Sequence, residues 1–264
     1  MLCFEITVLD QEAAMQEQCS RSCAGGCYDD GVAIEGVRAR ARAAVAAEIT
    51  AEARRQLADV GPAALSLRSI ARQVGMVSSG VYRYFATRDE LLTVLIVETY
   101  DALGAEVERA AARNAGKPPL DRWVATCRAL RRWGVAHPHE WALVYGTPVP
   151  GYEAPRDTIG PAQRVTKALI GIVADAALRG DLRRDPSPPP ISKKLAVDLG
   201  RIAVELDVSL SADDLVRSLT AWSQLFGMVS SELFGQTAGA VTAHEDLFLA
   251  TSTASGRLIG LGER

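Results

Sequence analysis

Apolar residues recur at intervals of three and four along most of this chain, and no β-branched run alternates convincingly over five positions. That pattern is the strongest constraint on the fold. A 3.6-residue period without a βαβ rhythm builds packed helices rather than a sheet. Between Val37 and Val60 the spacing of Val45, Ile49, Ala53 and Leu57 predicts a first helix, ended by Gly61 and Pro62. A second helix is expected over Leu67–Val74 with Ser66 as its N-cap, and a third over Ser79–Phe85 after a glycine-containing turn. Thr87 then caps a fourth helix that runs to about Ala112, with Asp89 and Glu90 placed where the helix dipole favours negative charge. Helical patterns resume at Asp121–Ala136, Glu140–Tyr145, Pro161–Arg179, Ser192–Glu205 and Asp213–Leu233. From Thr237 the pattern is loose, with a short helix over Asp246–Ala250 at most. The expected fold class is all-α, with nine or ten helices in two domains.

Charge sharpens this division. The whole chain carries a formal net charge of -3, which excludes a uniformly basic, histone-like binder. The basic residues are concentrated, however. Residues 37–90 hold nine arginines against five acids, whereas residues 1–36 hold seven acids and the single base Arg21. A compact basic segment inside an acidic chain suits a nucleic-acid-binding module attached to something else. Residues 1–36 read as an acidic, disordered extension with no core to join. No apolar run reaches the roughly 18–20 residues of a membrane helix, and there is no secretory signal, so a cytoplasmic protein without a membrane partner is expected.

The basic segment carries the chemistry. Ser66 to Leu92 reads SLRSIARQVGMVSSGVYRYFATRDELL, a short helix, a turn holding Gly75 and a second short helix. This is the order of a helix-turn-helix, whose second helix enters the major groove. Ser66 and Arg68 open the first of the two helices, while Ser78, Ser79 and Gly80 open the second and are small enough for close approach to DNA. Tyr82, Arg83 and Tyr84 add phenolic and guanidinium donors for phosphates or base edges. Arg88 begins the next helix, where free backbone amides favour phosphate. Arg38, Arg40 and Arg42 form either a basic arm or an exposed helix face.

Ile70, Ala71, Val74, Gly75, Val81, Tyr82, Tyr84, Phe85, Asp89 and Leu91 stand, in order, where the TetR-like family of bacterial repressors has its helix-turn-helix motif, with Arg88 replacing the usual Lys. The resemblance covers about residues 38–95. Downstream, WGVAHPHEWALVYG and AWSQLFGMVSSELFG resemble the ligand-binding domain of one branch of that family, with Phe226 where the branch often has His. The resemblance implies a helix-turn-helix DNA-binding domain over 37–87 and a helical-bundle ligand-binding and dimerisation domain over 88–264. It implies a homodimeric, ligand-responsive repressor that binds a palindromic double-stranded operator and is released by a small hydrophobic effector. It places the dimer interface on the last two long helices, read as about 161–179 and 213–233. The pocket is expected between Asp121 and Tyr152, lined by Trp123, Cys127, Leu130, Trp133, Trp141, Val144 and Tyr145.

Enzymatic readings find no support, because the chain has no Lys-containing phosphate loop, GxSxG or HExxH. No catalytic residue, cofactor or metal ligand is assigned. His137 and His139 bracket Pro138 without a third ligand at metal spacing, which suits a structural or capping role. Two alternatives remain open from the residues. Cys3, Cys19, Cys23 and Cys27 could make the acidic extension a metal or redox sensor, or the chain could be a helical adaptor that no longer binds DNA.

Overall fold

The computed structural model describes residues 30–183 and 190–262. The four N-terminal cysteines, and the reading attached to them, lie outside the described residues. Ten α-helices and no β-strand are found among the described residues: α1 (Asp30–Val60), α2 (Leu67–Gln73), α3 (Ser78–Val81), α4 (Arg88–Arg113), α5 (Pro119–Ala136), α6 (Pro138–Tyr145), α7 (Ile159–Arg179), α8 (Lys193–Leu206), α9 (Ala212–Leu233) and α10 (His244–Ile259). The all-α expectation therefore holds.

Local chemistry sets most of the ends. Ser66, Thr87, Ser192 and Ser211 each cap a helix by accepting a backbone N–H three residues on. At α9 the cap is reciprocal, since the Asp214 carboxylate accepts the Ser211 N–H at 3.1 Å. Gly180 closes α7 in the left-handed region, where glycine carries no Cβ penalty.

Two hydrophobic cores form. The first joins Ile49, Ala53 and Leu57 of α1, Leu67, Ile70 and Ala71 of α2, Val81 and Phe85, and Leu91, Leu92, Leu95 and Ile96 of α4. The second joins Leu103 and Val107 of α4 to buried residues of α5, α7, α9 and α10. One helix thus serves both: the first half of α4 packs in the head and its second half in the body. At Gly104 the helices α4 and α7 cross closely, and a Cβ there would lie 2.8 Å from Arg164 Cβ. Arg164 fastens the crossing by donating to both carboxylate oxygens of Glu108, at 2.9 and 2.6 Å, and to Asp101 Oδ1 at 2.6 Å.

Three expectations are corrected. Helix α1 begins at Asp30, so the acidic extension and the first helix overlap. The expected third helix is shorter, for a reason given below. The loosely patterned end is not a short helix at 246–250 but the full helix α10. Its small residues hid it. Gly256 lets α10 lie against α5, where a Cβ would sit 2.5 Å from Leu120 Cδ1, and Trp123 Nε1 donates to the Ser252 carbonyl at 3.0 Å. Beyond α10, Arg183 N–H donates to Gly260 at 2.8 Å and Leu120 N–H to Gly262 at 3.1 Å.

Candidate nucleic-acid interface

The head presents α3 outward because its apolar side is fully used. Val81 and Phe85 are buried against α1, α2 and α4, and the turn before α3 is made by Gly75 at φ 70°. Ser78, Ser79, Tyr82 and Arg83 are left exposed, with Arg68 exposed on α2. Val77, 74% exposed, extends the same surface with an apolar group. The helix ends at Val81 rather than Phe85. Its last turn tightens: the Arg83 and Tyr84 N–H groups donate three residues back, to Gly80 and Val81, in place of the α-helical spacing.

The other residues singled out in the sequence turn toward the scaffold. The Ser66 hydroxyl accepts from Ser69 N–H, and the Ser66 N–H reaches Gln56 Oε1, both at 3.4 Å. Gly80 sits close to Met76, whose Cε would lie 3.0 Å from an added Cβ. The Tyr84 ring lies under the Arg42 guanidinium, 5.0 Å from its centroid. Arg88 directs Nη2 to the carbonyls of Pro62, at 2.7 Å, and Ala63, at 3.3 Å, tying the start of α4 to the turn after α1.

In the body the expected pocket residues fall into two groups. Trp123, Cys127 and Leu130 are fully buried where α5 meets its neighbours, and burial pushes the Cys127 thiol well up. Trp133 is buried and stacks on His137 at 4.5 Å, which gives that histidine a structural setting. Trp141, Val144 and Tyr145 belong to α6, which lies between the two cores. Leu143 and Val149 complete the head core, while the buried Trp141 ring packs in the body and its Nε1 donates to Ser230 Oγ at 3.0 Å.

Around α6 runs a ladder of rings that sequence reading assembled only in part. Tyr100 of α4 meets Tyr145 edge-on at 6.0 Å, and Tyr145 meets Trp141 and Phe226 at 4.6 Å each. Phe226 stacks on Trp222 at 4.2 Å. Tyr100 and Trp222 were missed, although the four-residue spacing of Trp222 and Phe226 was a usable signal. Burial pushes the Tyr145 phenol well above its ordinary range and that of Tyr100 up to about 12. Trp222 Nε1 is buried without a hydrogen-bond partner. Among the described residues no three His, Cys, Asp or Glu side chains converge to hold a metal, and no helix is long and apolar enough to cross a membrane.

Known proteins show the same plan. Residues 49–95 match the family model described as bacterial regulatory proteins of the tetR family, and residues 123–254 match the tetracyclin repressor-like C-terminal domain. The HTH-type transcriptional regulators Rv1816 of Mycobacterium tuberculosis and Mb1846 of Mycobacterium bovis are each 44% identical over 206 residues, covering 76% of this chain and 86% of theirs. The crystal structure of the regulatory protein SCO4313 superposes with a TM-score of 0.65 at 34% identity, over 82% of this chain and 97% of that one. PfmR, a TetR family transcriptional regulator from Thermus thermophilus, shares the fold at a TM-score of 0.52 and 16% identity, over 82% and 99%. The curated relatives are transcriptional regulators rather than enzymes, and this chain belongs to the TetR family of bacterial transcriptional regulators.

Proposed function

We propose that this regulator is a cytoplasmic repressor that binds a palindromic operator as a homodimer and is released by a small hydrophobic effector. The observation that carries the reading is the exposed set Ser78, Ser79, Tyr82 and Arg83 on a helix whose other side is locked into the head core. Small side chains bring the backbone close to the duplex, Tyr82 donates to phosphate, and Arg83 reads base edges or phosphate. Arg68 adds a phosphate contact beside them. Ser66, Gly80, Tyr84 and Arg88 shape this surface from behind.

The dimer interface is assigned to α9 and α10. The sequence alone places the interface on 161–179 and 213–233 as the last two long helices; with α10 a full helix of 16 residues, the last two helices of the chain become α9 and α10. The outward side of α9 carries the small residues Thr220, Ser223 and Gly227, which permit close helix approach, and α10 exposes Leu249 and Leu258. The effector is assigned to the aromatic ladder around α6, with Trp133 and the α5 residues behind it. Rings suit an apolar or aromatic ligand, and the unpartnered Trp222 N–H suits one that carries an acceptor.

Selection of duplexes from a random pool by the purified full chain tests the reading. A two-fold symmetric consensus whose binding weakens steeply with salt is expected. Equal binding to scrambled duplex at physiological salt overturns it. A screen of apolar compounds against that duplex tests the effector, with Trp133→Ala blunting release while sparing DNA binding.

A further inference from the structure

Helix α1 holds an arginine whose two contacts both lie just after α3. Arg42 Nη2 donates to the Arg83 carbonyl at 2.9 Å, and the same guanidinium lies over the Tyr84 ring, 5.0 Å from its centroid. Both partners immediately follow α3, which spans only Ser78–Val81. A helix of four residues gives the turn after it little hold: the Arg83, Tyr84 and Phe85 amides bond back to Gly80 and Val81, while the Arg83 carbonyl takes its bond from Arg42. Tyr82 and Arg83 nevertheless stand in a defined turn and point outward. We propose that Arg42 is a positioning residue for operator recognition: from α1 it clamps the end of the recognition helix, so that Tyr82 and Arg83 are set before DNA arrives.

The chemistry requires arginine. A planar guanidinium can stack by its face on an aromatic ring while donating in its plane to a carbonyl, and a lysine ammonium cannot do both at once. The clamp also separates Arg42 from Arg38 and Arg40, which are exposed on the same stretch of α1 and suit a role as plain charges near phosphate. Pre-setting the two exposed side chains lowers the ordering cost of docking, which affects matched duplexes more than random ones.

The proposal rests on the reading that Tyr82 and Arg83 face the duplex, and its test separates the two. Arg42→Lys and Arg42→Gln are measured in the full chain, on the duplex selected by the wild type and on a scrambled one, across a salt series. Hydrogen exchange of the Tyr84 and Phe85 amides is followed without DNA. Both variants are expected to lose about tenfold of the preference for the selected duplex, with faster exchange at the two amides. Both variants should keep the wild-type salt slope on the scrambled duplex. A phosphate contact predicts the opposite: Arg42→Lys binds like wild type, and Arg42→Gln lowers the slope by about 0.9. That result overturns the proposal, as does unchanged exchange in both variants. Tyr82→Phe and Arg83→Ala are run beside them. If those bind both duplexes like wild type, the facing reading fails and the recognition role of Arg42 with it, while the exchange data still decide whether the clamp exists. Arg42 is exposed, so a melting curve like the wild type's is expected for each variant.

Discussion

The head and the body use their side chains in opposite ways. In the head, the residues assigned to the partner stand outside a mostly aliphatic core, and that core only has to hold them still. In the body, the residues assigned to the effector are themselves core: Trp123, Trp141 and Leu130 are all at most 1% exposed. A head of this kind can change what it binds without refolding, whereas a body of this kind cannot change its lining without losing stability. The two are coupled through α4 and α6, each of which contributes to both cores.

The largest expected effect probes that coupling. Trp141→Ala removes a buried ring and orphans Ser230, and should cost about 3–5 kcal/mol. Because α6 also supplies Leu143 to the head core, exchange protection should fall in α2 and α3 as well as in the body. Protection lost in the body alone would show that the two regions are independent. Alkaline unfolding comes next. The Tyr100 phenol has an ordinary pKa of 10.0 that burial pushes up to about 12, so its neutral form is favoured by folding. Its contribution is intact below pH 10 and is lost as pH rises through the window from 10 to 12, an effect on the order of 2–3 kcal/mol. A melting temperature that stays flat across this window would contradict the burial of that hydroxyl.

Smaller effects distinguish scaffold from contact within the head. Arg88→Ala should lower the stability of the free protein by about 1–2 kcal/mol, since its bonds to the Pro62 and Ala63 carbonyls are lost. A residue acting only on phosphate would change DNA binding and leave the melting curve alone. Tyr82→Phe should do the reverse, weakening selected and scrambled duplexes alike by about 1 kcal/mol with an unchanged melting temperature. Removing residues 1–29 should alter neither folding nor duplex affinity, which a truncated chain measures directly. A loss of dimer or of affinity would give the acidic extension a role in assembly or in DNA binding.

The same contrast explains what could be read in the sequence. The helix-turn-helix was legible because its signals are local: caps at Ser66 and Thr87, a glycine turn at Gly75, and apolar spacing from Ile70 to Phe85. The α3 boundary was not, because the tightened turn after Val81 has no side-chain signature. In the body, helices were found but their relations were not. Tyr100 and Trp222 lie 122 positions apart in the chain and become neighbours of one ladder only through Tyr145 and Phe226. Helix α10 escaped because Ser252, Ser255 and Gly256 look like a polar tail until α5 is placed against them. Arg88 was read by its charge, and its carbonyl partners come from a turn 25 and 26 residues earlier.

The crossing at Gly104 has a mechanical consequence. The backbones of α4 and α7 meet there closely, and Arg164 bolts them together, so α4 has a fulcrum about two-thirds of the way along it. From Gly104 back to Arg88 is 16 residues of helix, a lever arm of about 24 Å. Tilting that arm by about 5° swings its head end through roughly 2 Å, which in the homodimer proposed above would be roughly 4 Å between two heads set on half-sites about 34–36 Å apart. If the effector proposed above disturbs Tyr100, only four residues from the fulcrum, the ratio of the arms would magnify that disturbance about fourfold at the Arg88 end.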